Sequence, residues 1–221
     1  VKAVGADVVR TYLMFIGPWE QGGEWSDSGI NGAARWLNRV WDTVRRDRDV
    51  LPDDGDETAN RELDRALHKA IGRVTEDVER FKYNTAISAL MEYTNLLSEL
   101  YSRKLVSAEK WKNSLDQLLI LMSPITPHMS EELWEQLGND FSIHLQSWPS
   151  YDETLAKEEQ ITLVIQVNGK LRDRILAPVD VIESDATALA LESEKVQAHI
   201  VGKEMRKIIF VPGRLVNIVA T

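Results

Sequence analysis

The 221 residues are 43% apolar, include seven tryptophans and carry a net charge of −9: enough apolar content for one large or two modest cores, and too much for a disordered chain. There is no cysteine, which excludes a disulfide framework and thiolate zinc sites and fits a reducing compartment. No stretch approaches the ~18 uninterrupted apolar residues of a membrane span, and no charged head precedes an apolar block at the N-terminus, so a cytoplasmic chain, neither secreted nor membrane-spanning, is expected.

A first helix is expected from Ala6 to Phe15, with Val8, Val9, Tyr12, Leu13 and Ile16 on one stripe and Gly17-Pro18 as the stop. A loop follows. Asp27-Ser28 can cap a second helix whose stripe runs Ile30, Ala33, Ala34, Leu37, Val40, Trp41 and Val44. The acidic run Leu51 to Glu57 reads as a solvated turn. A third helix carries Leu63, Leu67, Ile71, Val74 and Val78. A break near Phe81 to Asn84 leads to a fourth, ending near Tyr101. Ser107 caps a fifth with Trp111, Leu115, Leu118 and Met122, stopped at Ser123-Pro124. Thr126-Pro127 restarts a helix as cap and first residue, and Gly138 closes it. The pattern is that of a mainly α protein, an antiparallel helical bundle over 1–150.

Trp148 to Gln160 has no clear period, and 151–159 reads as a linker. Beyond it the apolar period becomes two, opening a small α+β domain over 160–221. Asn168-Gly169 turns a hairpin between Ile161–Val167 and the strand after Lys170. A plain two-residue turn would put Arg172 and Arg174 opposite Ile165 and Leu163, forcing cations onto the apolar face. A bulge at the glycine, with Val167 opposite Leu171 and Ile165 opposite Asp173, avoids this. Ser184-Asp185 then caps a helix to about Ala198, and Pro212-Gly213 turns a second hairpin, giving the order ββαββ.

Charge is unevenly spread. Residues 1–160 carry 18 Lys/Arg against 28 Asp/Glu, whereas 161–221 carry 8 against 7, so phosphate contacts are expected on the second part. The candidates are Lys170, Arg172, Arg174, Lys203, Arg206, Lys207 and Arg214, which flank strands and turns. Weaker candidates are Arg35, Arg39 and Arg46 on the second helix. Nothing has a catalytic or metal-binding spacing: His68, His128, His144 and His199 are scattered, Glu131-Glu132 suits a helix start, and there is no Gly-x-Ser-x-Gly or phosphate-cradling glycine loop. Trp36, Trp41, Trp111 and Trp134 fall on apolar stripes as core residues; Trp19 and Trp25 fall in a loop.

Four segments, Gly5 to Pro18, Glu24 to Gly29, Tyr83 to Met91 and Ser123 to Trp134, closely resemble the bacterial leucyl-tRNA synthetase family, and the resemblance spans essentially the whole chain. Val167-Asn-Gly-Lys-Leu-Arg172 and Val211 to Val219 resemble that family's C-terminal domain specifically. The isoleucyl, valyl and methionyl relatives share the bundle and differ beyond it. The resemblance implies an anticodon-binding-type bundle followed by a domain that touches the tRNA corner. It also implies that Val1 begins a piece of a longer leucine-tRNA ligase whose catalytic and editing domains lie upstream. On this reading the fragment is non-catalytic, has no cofactor of its own while the parent uses ATP and Mg, binds leucine tRNA, contacts the other domains of its chain, and is monomeric. A docking scaffold with little tRNA affinity is the alternative.

Overall fold

The computed structural model describes residues 2–18, 20–156, 160–179 and 181–221, Gln160 by its backbone alone. Among the described residues, the first part is built on α1 (Ala6–Phe15), α2 (Asp27–Val44), α3 (Glu57–Glu79), α4 (Tyr83–Arg103), α5 (Ala108–Met122) and α6 (Pro127–Gln136). The apolar stripes of α2 to α6 meet in one core that includes Val40, Leu63, Ile71, Leu90, Leu97, Trp111, Leu118 and Met122, all nearly solvent-free, while Tyr12 of α1 packs with Ile30 and Ala33 in a smaller cluster. Each such aliphatic side chain contributes about 1.5–3 kcal/mol through burial. Trp36 and Trp134 are buried with them, and their indole N–H groups reach Thr94 Oγ1 and the Asp140 carbonyl. Trp25 is exposed, edge-on to Tyr12 at 5.0 Å; Trp19 lies outside the described residues.

Two helix starts differ from expectation. Ser26, not Asp27-Ser28, caps α2, because its hydroxyl lies within reach of the Gly29 N–H. Thr126 holds the cap position of α6, yet its hydroxyl bonds the Met122 carbonyl and Ser130 instead. The cap comes from α1: the Asp7 carboxylate accepts the Met129 N–H at 2.7 Å. Gly55 turns the chain into α3 with φ of 71°, pressed so closely on Leu105 to Ser107 that any side chain there would strike backbone.

The stretch from Trp148 to Asp152, which has no clear period in the sequence, packs on α3. Trp148 Nε1 donates to Thr75 Oγ1 at 2.8 Å, the Tyr151 ring lies over Gly72, and the Asp152 N–H donates to His68 Nδ1 at 3.1 Å. His68, Gly72 and Thr75 form one row on the helix. Asp152 then caps a single turn, α7 (Glu153–Ala156), through Thr154, whose hydrogen bonds hold its carboxyl below the usual carboxylate range. The remainder of the linker expected over 151–159, residues 157–159, lies outside the described residues.

The second compact unit, Glu158–Thr221, contains β1 (Gln160–Val167), β2 (Lys170–Pro178), α8 (Glu183–Glu192), α9 (Glu194–Ile200), β3 (Met205–Val211) and β4 (Leu215–Ala220). The sheet order is β2-β1-β4-β3, with β1 and β4 parallel at the centre and an antiparallel hairpin on each side. Leu163, Ile165, Val167, Val216 and Ile218 alternate onto one face and are sealed by Ala186 and Ala190 of α8 and Val196 and Ile200 of α9.

Two expectations for this unit give way to the structure. The helix expected from Ser184 to Ala198 is two helices. Ser193 breaks it in extended conformation, its hydroxyl accepting the Val196 N–H and donating to Asp173. Ser184 sits inside the first turn of α8, hydrogen-bonded to Asp185. The bulge exists, but not at the glycine. Asn168 and Gly169, with φ of 52° and 77°, form a two-residue turn that pairs Val167 with Lys170. Gln166 then pairs with Leu171, and the register shifts so that Ile165 still meets Asp173; Arg172 is the extra residue. Leu171 therefore lies on the open face, 47% exposed, rather than in the core.

Candidate nucleic-acid interface

Strand directions decide which cations meet. The Asn168-Gly169 turn, the end of β4 and the start of β3 share one end of the sheet, since Met205 pairs with Ala220 and Glu204 exchanges two backbone hydrogen bonds with Thr221. Lys170, Lys203, Arg206 and Lys207 are all exposed at that end, and Arg172 sits just below Lys170 on β2. Glu204 is the acid among them. Arg174 stands mid-sheet opposite Val164, on the open face with Thr162 and Gln166 as expected. Arg214 lies at the opposite end, where its carbonyl accepts the Val164 N–H at 3.1 Å, and does not join the group.

Charge in this unit is sorted by layer. The strands carry Lys170, Arg172, Arg174, Arg206 and Lys207 against the single acid Asp173; the helices carry Glu183, Asp185, Glu192 and Glu194 against Lys195. Asp173 does not neutralise the cationic end, because hydrogen bonds from Lys195, Ser193 and the backbone of Arg174 engage it and lower its pKa to about 2. Lys203 is partly committed, donating to the His199 carbonyl at the end of α9. Arg172 is half-buried, and its Nε has no hydrogen-bond partner. No aromatic ring stands on the open sheet face among the described residues, Phe210 packing on the helix side. That face thus offers cations and polar groups, with no described ring on which a base could stack.

Sequence reasoning missed Asn168 and Asn217 as more than turn and strand residues. The Asn168 side chain donates to the Ala220 carbonyl at 2.7 Å and accepts the Ala220 N–H at 3.0 Å, while Asn217 Oδ1 accepts the Gly169 N–H at 3.0 Å. The one signal in the sequence was Asn in a turn where Gly or Asp also serves, since of these three only the carboxamide both donates and accepts.

Of the three bundle candidates, Arg35 and Arg39 lie on α2, whereas Arg46, expected on the same helix, falls just past its C-cap Arg45 because the helix ends at Val44. Arg39 bonds Asn95, and Arg46 bonds the Ser98 carbonyl at 3.3 Å with its guanidinium 4.8 Å from the Tyr101 ring, so both tie α2 to α4. Arg35 is exposed with no hydrogen bond or ion pair among the described residues. A cavity of about 470 Å³ beside α6 is lined by Glu131, Glu132, Glu135, His128 and His144, a charge set that repels phosphate. Among the described residues, no three His, Asp or Glu side chains converge to hold a metal, and no helix is long and apolar enough to cross a membrane.

Residues 60–180 match the family model described as the anticodon-binding domain of tRNA ligase, a match that runs from α3 into the region just after β2. The chain is 50% identical over 219 residues to leucine-tRNA ligase of Dehalococcoides mccartyi strain CBDB1, covering 99% of this chain and 27% of that protein. It is 50% identical over 221 residues to leucine-tRNA ligase of Rubrobacter xylanophilus, covering 100% of this chain and 26% of the relative. The chain thus spans about a quarter of these relatives' length. A crystal structure of the ternary complex of Agrobacterium radiobacter K84 agnB2 LeuRS, tRNA and LeuAMS superposes over 100% of this chain and 30% of its own, with TM-score 0.76 and 36% identity. Apo methionyl-tRNA synthetase of Mycobacterium tuberculosis shares the fold over 63% of the chain, with TM-score 0.53 and 18% identity. With the family model matching more than half of the residues, the chain belongs to the anticodon-binding domain family of tRNA ligases.

Proposed function

We propose that residues 1–221 are the tRNA-binding portion of a leucyl-tRNA synthetase, a cytoplasmic and monomeric ligase, and that they hold leucine tRNA while parts outside this chain perform leucylation and editing. The observation that carries the reading is the gathering of Lys170, Arg172, Lys203, Arg206 and Lys207 at one end of the sheet, in a chain with 36% identity to a LeuRS solved with tRNA. ATP and Mg belong to those other parts.

The chemistry asked of this chain is electrostatic and positional. Exposed cations at the sheet end neutralise phosphates and release their counterions, while Arg174 and the polar open-face residues Thr162, Gln166 and Asn217 supply ribose and phosphate contacts. The bundle over 1–150 supports the body of the RNA through Arg35, with 151–159 as the connection and 160–221 as the grip. Arg39 and Arg46 are retained as interface residues whose first task is holding α2 on α4.

The test is affinity for leucine tRNA against isoleucine tRNA over a salt series, for the intact chain and for Lys207→Ala. Preference for leucine tRNA, with a log–log salt slope reduced by about 1 in the variant, supports the reading. Binding without salt dependence, or no binding, favours the docking scaffold.

A further inference from the structure

We propose that Asn168 and Asn217 are positioning residues that lock the Asn-Gly turn to the end of β4 and so hold the cations of two hairpins in one phosphate-binding frame. The inference deepens the RNA-binding reading and rests on it.

The cationic end is assembled from pieces that have no direct ladder between them. Lys170 and Arg172 belong to the β1–β2 hairpin, Arg206 and Lys207 to the β3–β4 hairpin, and the strand ladder that joins the two hairpins is the parallel pair β1 and β4. That ladder ends at Val167 and Ile218. Past it, the N–H and carbonyl of Ala220 on the side of the turn meet no backbone partner, and without a side chain to take them they would be left to water. The Asn168 carboxamide closes the gap. It takes both the N–H and the carbonyl of Ala220, reproducing with one side chain the two-way exchange of a strand pair. The Asn168 N–H adds a bond to the Ile218 carbonyl at 2.9 Å, and Asn217 Oδ1 receives the next N–H, that of Gly169.

The clamp reaches further through the register. Ala220 pairs with Met205, so Asn168, Ala220 and Met205 form one row across the end of the sheet. Lys170 follows one end of that row and Arg206 and Lys207 follow the other. Fixing the row fixes the spacing between the cations, and a phosphate backbone rewards a fixed spacing because no ordering remains to be done on binding. A turn that only needed positive φ at both positions is met by Gly-Gly. The carboxamide at 168 is needed for the clamp alone.

Asn168→Gly tests this, because glycine accepts φ of 52° and keeps the two-residue turn while deleting the clamp. Asn217→Val, a good strand residue that leaves the exposed Gly169 N–H to water, is the second variant. Wild type and both variants are compared for leucine tRNA affinity over a salt series, for thermal unfolding, and for amide exchange at Lys170 to Arg172. The expected result is faster exchange at those amides and a Kd raised at least about threefold. The salt slope falls by about 1 as fewer phosphates are neutralised together, with a modest fall in Tm from the lost hydrogen bonds. Unchanged Kd and slope in both variants, beside a wild type that binds, overturns the clamp alone. A wild type without salt-dependent binding overturns the RNA-binding reading and the clamp with it.

Discussion

The carboxylate of Asp7 caps a helix that starts 120 residues later in the chain: its Oδ2 accepts the Met129 N–H at 2.7 Å, and its Oδ1 lies 2.9 Å from His128 Nδ1. One turn further along α1, Arg10 donates to the carbonyls of Pro124 and Ile125 at 2.8 and 3.0 Å. An anion thus meets the positive start of α6 and a cation meets the carbonyls of the corner before it. This explains chemically why the polar residues of Gly-Ala-Asp-Val-Val-Arg10 stand where they do.

Asp7→Ala is expected to destabilise the bundle by about 1–2 kcal/mol, the range for losing a helix cap whose donor stays partly buried. A lower urea midpoint at unchanged m would show it. A loss of under a few tenths would mean Thr126 takes over as the cap.

Asp173 sets a pH dependence in the second unit. Its folded pKa, about 2, lies below the ordinary 3.8. Its stabilising contribution is therefore complete above the ordinary value and is lost as pH falls through about 2. Wild type and Asp173→Asn should differ in urea midpoint at pH 6 and converge between about pH 4 and pH 2. A difference that stays constant over that interval would assign the effect to geometry and not to charge.

The seat of Tyr151 on Gly72 allows a release that leaves the bundle folded. A side chain at 72 places its Cβ 3.1–3.4 Å from the Tyr151 ring. Gly72→Leu also raises helix propensity by roughly 0.5–1 kcal/mol, offsetting the packing that Trp148 and Tyr151 give up on α3. Amide exchange at Asp152, bonded to His68, should speed up on the order of tenfold while global stability moves by less than about 1 kcal/mol. Unchanged protection there would mean that the segment holds without the tyrosine.

Arg35 and Arg39 of α2 and Arg46 just after it should separate by function. Arg39→Ala and Arg46→Ala each lose a tie to α4 and should cost about 0.5–1 kcal/mol of stability. Arg35→Ala should leave stability within about 0.5 kcal/mol and weaken tRNA binding. Equal RNA affinity for wild type and Arg35→Ala would remove the bundle from the proposed interface.

What could be read directly from the residues was whatever a few neighbours decide: the helical stripes, Ser107 as a cap, the close of α6 at Gly138, the Asn-Gly and Pro-Gly turns, and the change of apolar period after 160. These rest on spacings of two to four residues, so local sequence suffices. Tertiary structure decided what depends on partners far apart in the chain. The cap of α6 is Asp7, the strap on α3 is Trp148 to Asp152, and the helix after β2 divides where Ser193 reaches Asp173. The hairpin shows the boundary between the two. Conflict between cations and the apolar face called for a bulge, which the sequence states, but the turn kept its preferred two-residue form and the extra residue moved to Arg172. Seven cations likewise read as one set along the chain. Strand order and direction put five of them at one end of the sheet and Arg214 at the other, because a sheet's neighbours are set by long-range pairing that no local pattern encodes.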